Sequence, residues 1–226
     1  MSLTTGKGPL SARPAGRFTA PMPDDVAYIE PFRRRVRATK DGRTVIDSER
    51  VLLVHRRGRP PIYAFPLGDV EGPPTEPEPD ATGYVTVPWD AVDSWFEEDE
   101  QVFGHPRNPY HRVDCLQSRR QLHVVAGDTT LVNTDKTMAV YETALDPRLY
   151  VDPQFVRMDL LTMSALHTYC PYKGTATYWT AHVGDEALED IAWSYEDPLP
   201  ESVPLGHFLS FDETRVVVRH NLPAAD

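Results

Sequence analysis

Cysteine is scarce in this sequence, and its scarcity excludes two classes of protein. The 226 residues include two cysteines, Cys115 and Cys170, and no Cys-x-x-Cys pair. A disulfide-rich fold needs more cysteines, and a structural zinc site needs closely spaced thiolate or imidazole ligands. We therefore expect both thiols to be free and reduced, and we expect no metal site.

Long hydrophobic runs are also missing. No stretch approaches the roughly 18 apolar residues of a membrane-spanning helix, and the N-terminal residues lack the apolar core of a signal peptide. The sequence therefore predicts a cytoplasmic protein with no membrane partner.

Positive charge is in deficit, with 23 lysines and arginines against 34 acidic residues and a formal net charge of -11. The resulting field repels phosphate backbones, so nucleic acid is not an expected partner. Arginines nevertheless cluster within residues 33–37 and 56–59. These clusters fit either solvated strand ends or an anion site.

Proline is abundant, with 22 residues, about twice the average usage of roughly 5%. Because proline interrupts helices, we expect little helix. Short runs of β-branched and aromatic residues are separated by turn formers such as Asp41-Gly42 and Gly127-Asp128, a pattern typical of hairpins. The sequence predicts a mainly β protein.

An internal repeat divides the chain. Thr-Val-Ile-Asp-Ser-Glu-Arg at 44–50 aligns with Thr-Leu-Val-Asn-Thr-Asp-Lys at 130–136, and each position is identical or conservative. Two tandem copies of one small β unit explain this similarity.

The repeat sets the predicted domain boundaries. We expect an extended N-terminal arm (1–31), a first β unit (32–102), a junction between the units (103–114) and a second β unit (115–226). Strands are predicted at equivalent places of the two copies, at residues 34–38, 44–47, 51–54 and 62–65 and again at 121–125, 129–133, 137–142 and 148–151. Residues 90–96 fit a short helix or a strand, and the repeat favours the strand. The acidic run 97–100 is interpreted as a solvated edge.

The two copies diverge after their fourth strand. The first continues into an acidic, proline-rich loop (70–80), whereas the second contains the segment 167–179, in which a thiol, an amine, an imidazole and several aromatic rings lie close in sequence. Residues 177–183 alternate as in a half-buried strand, and residues 191–195 are interpreted as the start of a loop that could close over it. The candidate pocket therefore lies in the second unit.

Cys170 and Lys173 are the candidate reactive groups of this segment. The ammonium of Lys173 would lower the pKa of the Cys170 thiol and favour a nucleophilic thiolate, although a free cysteine more often fills space in a core. Lys173 followed by Gly174 fits either a site for a carboxylate or phosphate, or an exposed turn lysine. The aromatic residues nearby fit either a ligand pocket or ordinary core, and they are Tyr169, Tyr172, Tyr178, Trp179, Trp193 and Tyr195.

A second group of functional side chains occupies the junction. It consists of His105, Arg107, Tyr110, His111 and Arg112. An anion clamp and an interdomain hydrogen-bond network fit these residues, whereas their spacing is not typical of a metal site. His111 is a second candidate catalytic residue, as an acid or a base.

Several longer motifs are similar to a bacterial family catalogued as a domain of unknown function, number 427 in its series. They are Asp-Pro-Gln-Phe-Val-Arg-Met-Asp-Leu-Leu at 152–161, Thr-Tyr-Cys-Pro-Tyr-Lys-Gly-Thr-Ala-Thr-Tyr-Trp at 168–179, Ala-Trp-Ser-Tyr-Glu-Asp-Pro-Leu-Pro at 192–200, and the segment 95–112. The resemblance implies a tandem pair of compact β-tent-like domains of the barrel or sandwich kind. The first unit departs from it because it lacks the Cys-Pro-Tyr-Lys-Gly segment.

The family has also been labelled nucleotidyltransferase-like. That chemistry normally uses paired carboxylates that hold magnesium beside a Gly-Ser loop, and this sequence has neither Asp-x-Asp nor Gly-Ser. Nucleotidyl transfer is therefore kept as an alternative function.

Our main hypothesis is a small-molecule-binding protein, with or without catalytic activity, whose pocket takes an anionic metabolite held by Lys173 and an arginine. The predicted pocket residues are Cys170, Tyr172, Lys173, Tyr178, Trp179 and Trp193, with His105, Arg107, His111 and Arg112 from the junction. In the alternative, a non-catalytic protein-interaction module, Cys170 packs against core aliphatic residues and Lys173 lies in bulk water. The sequence implies no cofactor and leaves the oligomeric state open.

Overall fold

A computed structural model describes residues 3–23 and 25–223. The chain divides into two compact units, Met1–His111 and Arg112–Asp226. This division falls inside the segment 103–114 that the sequence marks as a junction. Among the described residues, every helix is too short or too polar to span a lipid bilayer.

The first unit is built of two antiparallel sheets. Its strands are β1 (Ala27–Phe32), β2 (Val36–Lys40), β3 (Arg43–Ser48), β4 (Val51–Arg56), β5 (Ile62–Pro66), β6 (Glu76–Pro77), β7 (Tyr84–Thr86), β8 (Ser94–Glu97) and β9 (Glu100–Val102). One sheet has the order β1-β4-β5-β7-β6, and the other has the order β3-β2-β8-β9. Aromatic rings fill the core of the unit, where Trp95 stacks on Phe65 and on Trp89 at centroid distances of 6.0 and 5.1 Å.

Three sequence predictions for the first unit need correction. Strand β1 pairs with β4 from Ala27 onwards, so the unit begins before residue 32 and the arm is shorter than predicted. The ambiguous stretch 90–96 contains both elements, a 3-10 turn at Trp89–Ala91 and then β8. Glu97 is buried, not solvated, because it accepts hydrogen bonds from the hydroxyl of Tyr63 and from a nearby guanidinium.

The second unit has three antiparallel sheets in its described residues. Its strands are β10 (Val113–Ser118), β11 (Leu122–Ala126), β12 (Thr129–Thr134), β13 (Thr137–Glu142), β14 (Arg148–Val151), β15 (Leu161–Cys170), β16 (Gly174–Val183), β17 (Glu186–Tyr195), β18 (Ser210–Phe211) and β19 (Val217–His220). The sheet orders are β10-β13-β14, β12-β11-β19 and β15-β16-β17-β18. The mainly β class predicted from the sequence is confirmed.

Strand pairing in the first unit recurs in the second at a constant offset of 86 positions. The pair Val36–Ser48 of β2 and β3 corresponds to Leu122–Thr134 of β11 and β12, and each hairpin has its register shift at the same place. The edge pair Ala27–Arg56 likewise corresponds to Val113–Glu142. The offset agrees with the alignment of residues 44–50 and 130–136.

The second unit differs by the long strands β15, β16 and β17. The hairpin turn between β15 and β16 ends at Gly174, whose φ of +97° suits glycine and whose missing side chain leaves room for the carbonyl of Asp197. Residues 191–195 belong to strand β17 and pair with β16, so their interpretation as a loop is wrong. These residues form the mostly buried end of the strand, where four of the five are buried, and this burial explains their apolar and aromatic content.

Two hydrophobic clusters stabilise this unit. The larger one joins the sheets through buried aliphatic residues such as Leu131 and Ile191. The smaller one contains Tyr150, Tyr172, Tyr195 and the aliphatic residues around them, and the side chains of Cys115, Cys170, Tyr178 and Trp193 pack against it. This smaller cluster forms the floor of the candidate site.

Candidate functional site

A cavity of about 480 Å³ opens on the second unit beside the smaller hydrophobic cluster. It lies between β13, β14, β16 and β17, and two loop segments complete its wall. The lining residues are Val140, Glu142, Leu145, Asp146, Pro147, Arg148, Tyr150, Lys173, Tyr178, Trp193, Tyr195, Asp212 and Glu213. Its volume is within the range of about 300 to 1,000 Å³ that is typical of small-molecule sites, and its wall combines four aromatic side chains with six charged ones.

A buried ion pair lies at one side of the cavity. Lys173, at the β15–β16 turn, donates from Nζ to Oε2 of Glu142, the last residue of β13, and the two side chains are 10% and 9% exposed. The same ammonium lies 5.9 Å from the ring centroid of Tyr195. Burial acts to lower the pKa of Lys173, but Tyr150, Cys170 and Glu142 outweigh it, and the pKa is raised. Lys173 is therefore charged at neutral pH.

Four aromatic side chains form much of the wall. The indole N–H of Trp193 donates to the hydroxyl of Tyr150 at 3.0 Å, and the two rings meet edge to face with centroids 6.4 Å apart. The ring of Tyr178 lies 6.5 Å from that of Trp193, and its hydroxyl shares a 3.1 Å hydrogen bond with Thr168. The indole ring of Trp193 is therefore held between the rings of Tyr150, which is buried, and Tyr178, its partner on the adjacent strand.

The remaining charges at the cavity also have partners. The guanidinium of Arg148 lies 5.2 Å above the ring of Trp193 and 3.6 Å from the carboxylate of Glu213. The carboxylate of Asp212 accepts from the backbone N–H and the hydroxyl of Thr214. Although burial alone would raise the pKa of Asp212, these hydrogen bonds and nearby arginines hold it below its usual value. Asp212 is therefore ionised and already engaged.

The pKa values of two tyrosines in the wall are raised above the usual value for tyrosine. Burial raises the pKa of Tyr150, with Lys173 acting in the opposite direction. Burial also raises the pKa of Tyr195, and Tyr150 and Cys170 raise it further. Both hydroxyls keep their protons at neutral pH and are available as hydrogen-bond donors.

The structure brings together three of the sequence-predicted site residues, since Lys173, Tyr178 and Trp193 line one cavity. Cys170 and Tyr172 belong to the adjacent cluster and are absent from the lining. This arrangement matches neither hypothesis completely, because Lys173 is at a cavity rather than in bulk water, while Cys170 packs as a core residue does.

Trp179 was predicted as a pocket residue and is placed elsewhere. It packs against the larger hydrophobic cluster, and its indole N–H donates to the hydroxyl of Ser194 at 2.8 Å. Because successive residues of a strand face opposite sides, Trp179 cannot share a wall with its neighbour Tyr178.

Several of the predicted junction residues have contacts within their own units. In the first unit, His105 contacts the carbonyl of Pro106 at 2.7 Å through Nδ1, and Arg107 donates to Glu100 at 2.9 Å. Burial lowers the pKa of His105. The imidazole of His111 is buried. Arg112, in the second unit, is exposed and donates from Nε to Asp114 at 2.7 Å. Closure of the cavity by these residues stays a prediction.

Sequence reasoning missed Glu142, Arg148 and Tyr150. The repeat contained a signal for them, because at the 86-residue offset Glu142 corresponds to Arg56 and Tyr150 corresponds to Ala64. A change from a small residue to a tyrosine, or from a base to an acid, marks positions at which the two units differ within a similar strand register.

In the first unit, the position that corresponds to Glu142 is occupied by Arg56, which has different partners. Arg56 pairs there with Glu78, whose side chain is buried, and with Asp80 at 3.1 Å. Both acids come from the acidic, proline-rich segment 70–80, so this segment supplies Arg56 with a buried partner. The residues described include no group of three or more His, Cys, Asp or Glu side chains arranged to hold a metal ion.

Comparison with known proteins adds one finding. A search of curated proteins gave no match. Residues 114–221 match a family described as "Domain of unknown function (DUF427)". The match runs from strand β10 past the end of β19 and includes all the residues that line the cavity, so the second unit is the part of the chain that is similar to the DUF427 family.

Proposed function

We propose that this protein binds a small molecule in the cavity of its second unit. The single observation that supports the proposal most is the composition of the wall, in which four aromatic side chains line the same cavity as a buried Lys173–Glu142 pair. A buried ion pair costs desolvation energy and contributes little net stability, so a role at a site is a reasonable explanation for it.

We further propose that the two units are tandem copies of one domain and that the first has lost, or never had, this pocket. The common strand register supports a shared framework. The replacement of Tyr150 by Ala64 and the Arg56–Glu78 pair support a different use of that framework in the first unit.

A thermal-shift screen against a metabolite collection tests the binding function. The informative variant is Trp193→Phe, which changes the wall, and its matched control is Trp179→Phe, which removes an indole hydrogen bond outside the cavity. We expect a compound that raises the melting temperature of the wild type and the Trp179 variant, with a smaller shift for the Trp193 variant.

Cys170→Ala is a second control variant, because Cys170 is the candidate nucleophile and lies outside the cavity lining. Since Cys170 does not line the cavity, its removal should leave the ligand-induced shift unchanged. Equal shifts for all three variants would show that the ligand binds elsewhere, and a screen without any hit would count against the proposal.

A non-catalytic interaction module is a second candidate, favoured by the surface of β15. This strand is at the edge of its sheet and exposes Met163, Leu166 and Tyr169, with Met163 61% exposed. Exposed apolar residues on an edge strand are typical of association surfaces. Sedimentation velocity of the wild type and of Met163→Lys tests this candidate, since self-association through β15 should be weakened by the added charge.

A further inference from the structure

The hydroxyl groups of Tyr150 and Tyr195 have no hydrogen-bond acceptor among the residues that the structure describes. Tyr150 accepts from Trp193, and this is the one hydrogen bond of its hydroxyl within residues 3–23 and 25–223. The hydroxyl of Tyr195 makes none with the same residues. Both side chains are buried and both line the cavity. A molecule bound in the cavity can therefore accept hydrogen bonds from these two hydroxyls, which the described residues leave free to donate.

The other polar groups around the cavity are engaged differently. Lys173 pairs with Glu142, Arg148 lies beside Glu213, and the hydroxyl of Tyr178 shares its hydrogen bond with Thr168. Because these groups already have partners within the protein, the donors that the wall leaves for a ligand are the two tyrosine hydroxyls. The polar requirement of the site is therefore a hydrogen-bond acceptor, either neutral or anionic.

We propose that the cavity binds a small planar molecule through an acceptor oxygen, a carbonyl or carboxylate, which takes hydrogen bonds from the hydroxyls of Tyr150 and Tyr195. This inference rests on the proposed function, and it adds the chemical class of the ligand. The flat part of the ligand packs against the aromatic rings of Tyr178 and Trp193, and the guanidinium of Arg148 supports a carboxylate where the ligand carries one.

Indole N–H resonances give a direct test. The chain has four tryptophans, so its ¹H–¹⁵N spectrum contains four indole signals, which single Trp→Phe variants assign. The Trp193 signal reports on the cavity because this N–H donates to Tyr150. The Trp179 signal is the internal control, because its indole donates to Ser194 outside the cavity.

The probes are four molecules that share one ring: benzoate, benzamide, benzylammonium and toluene. Benzoate and benzamide present acceptor oxygens, benzylammonium presents donors and a positive charge, and toluene presents neither. We expect benzoate and benzamide to shift the Trp193 signal at lower concentrations than the other two probes, with the Trp179 signal unaffected.

Tyrosine variants decide which hydroxyls are responsible. Tyr195→Phe and Tyr150→Phe each remove one donor and should weaken benzamide binding about two- to tenfold, the value of one neutral hydrogen bond. Tyr141→Phe is the matched control, because this exposed tyrosine of strand β13 does not line the cavity, and the variant should bind benzamide as the wild type does. If Tyr150→Phe unfolds the protein, Tyr195→Phe still gives the answer.

Three outcomes would overturn the inference. They are tighter binding of benzylammonium or toluene than of benzamide, unchanged affinity in both Tyr150→Phe and Tyr195→Phe, and a Trp193 signal that no probe shifts. The first two leave the proposed function intact, because the cavity is then occupied by a different class of ligand. The third removes this ligand class, and the metabolite screen with Trp193→Phe decides the proposed function separately.

Discussion

Breaking the Lys173–Glu142 pair is the sharpest test of how the site is built. Lys173→Met keeps most of the length of the side chain and removes the ammonium, which leaves the carboxylate of Glu142 in surroundings where it is 9% exposed. Removing one partner of a buried pair costs about 3 to 5 kcal/mol, because an uncompensated charge stays buried. An exposed pair would cost about 1 kcal/mol or less.

The double variant Glu142→Gln/Lys173→Met separates the cost of removing the ammonium from beside Glu142 from the net contribution of the pair. Replacing both members of a buried pair is often nearly neutral, so we expect the double variant to recover most of the stability that Lys173→Met loses. Exposed Arg157 and Asp159, which pair at 2.6 Å, provide the control, and Arg157→Met should cost far less stability than Lys173→Met because solvent screens the exposed pair.

Urea unfolding measures these differences, and the indole signals of Trp179 and Trp193 report on the second unit separately from the first. Both tryptophans belong to strands that build the second unit, so their loss follows its unfolding. A cost of Lys173→Met below about 1 kcal/mol, or a double variant that is less stable than the single one, would refute the argument from burial.

Three further predictions concern pH and the backbone. The pKa of Lys173 is raised above 10.5, so the stability that its charge provides is fully present below pH 10.5 and is lost as pH rises beyond that value. The free energy of unfolding of Lys173→Met should therefore fall less at alkaline pH than that of the wild type. Burial lowers the pKa of His55 below 6.5, so the first unit should lose stability as pH falls below 6.5, and His55→Gln should flatten an acid titration followed by circular dichroism. Gly174→Ala should cost about 1 kcal/mol or more in urea unfolding, because φ is +97° and the new methyl group would lie 3.3 Å from the carbonyl oxygen of Asp197. Gly184→Ala is the control and should cost less, because φ is +60° and the space around it is open. Equal costs for the two variants would contradict the packing argument.

Strands β2 to β5 and β11 to β14 could be predicted because they follow from local pattern, whereas β17 was interpreted in part as a loop. Strands β13 and β14 have the predicted boundaries, and the other predicted strands differ by one or two residues at their ends. Alternating apolar residues and Gly-containing turns act within a few residues, so the sequence contains the information that they need.

Pocket residues were predicted less well because a sequence does not show which side of a strand faces which neighbour. Lys173, Tyr178 and Trp193 line the cavity, while Trp179 faces the opposite side. Predictions from proximity along the chain treat adjacent residues alike, although adjacent strand residues point to opposite faces.

The sequence by itself determined the mainly β class and the repeated motif, because both depend on periodicity and on turn residues. Tertiary structure alone decided that Lys173 meets Glu142 from a different sheet, and that two tyrosines line one cavity with no acceptor for their hydroxyls in the described part of the chain. These contacts join residues about 30 or more positions apart, and only packing of the sheets sets such distances.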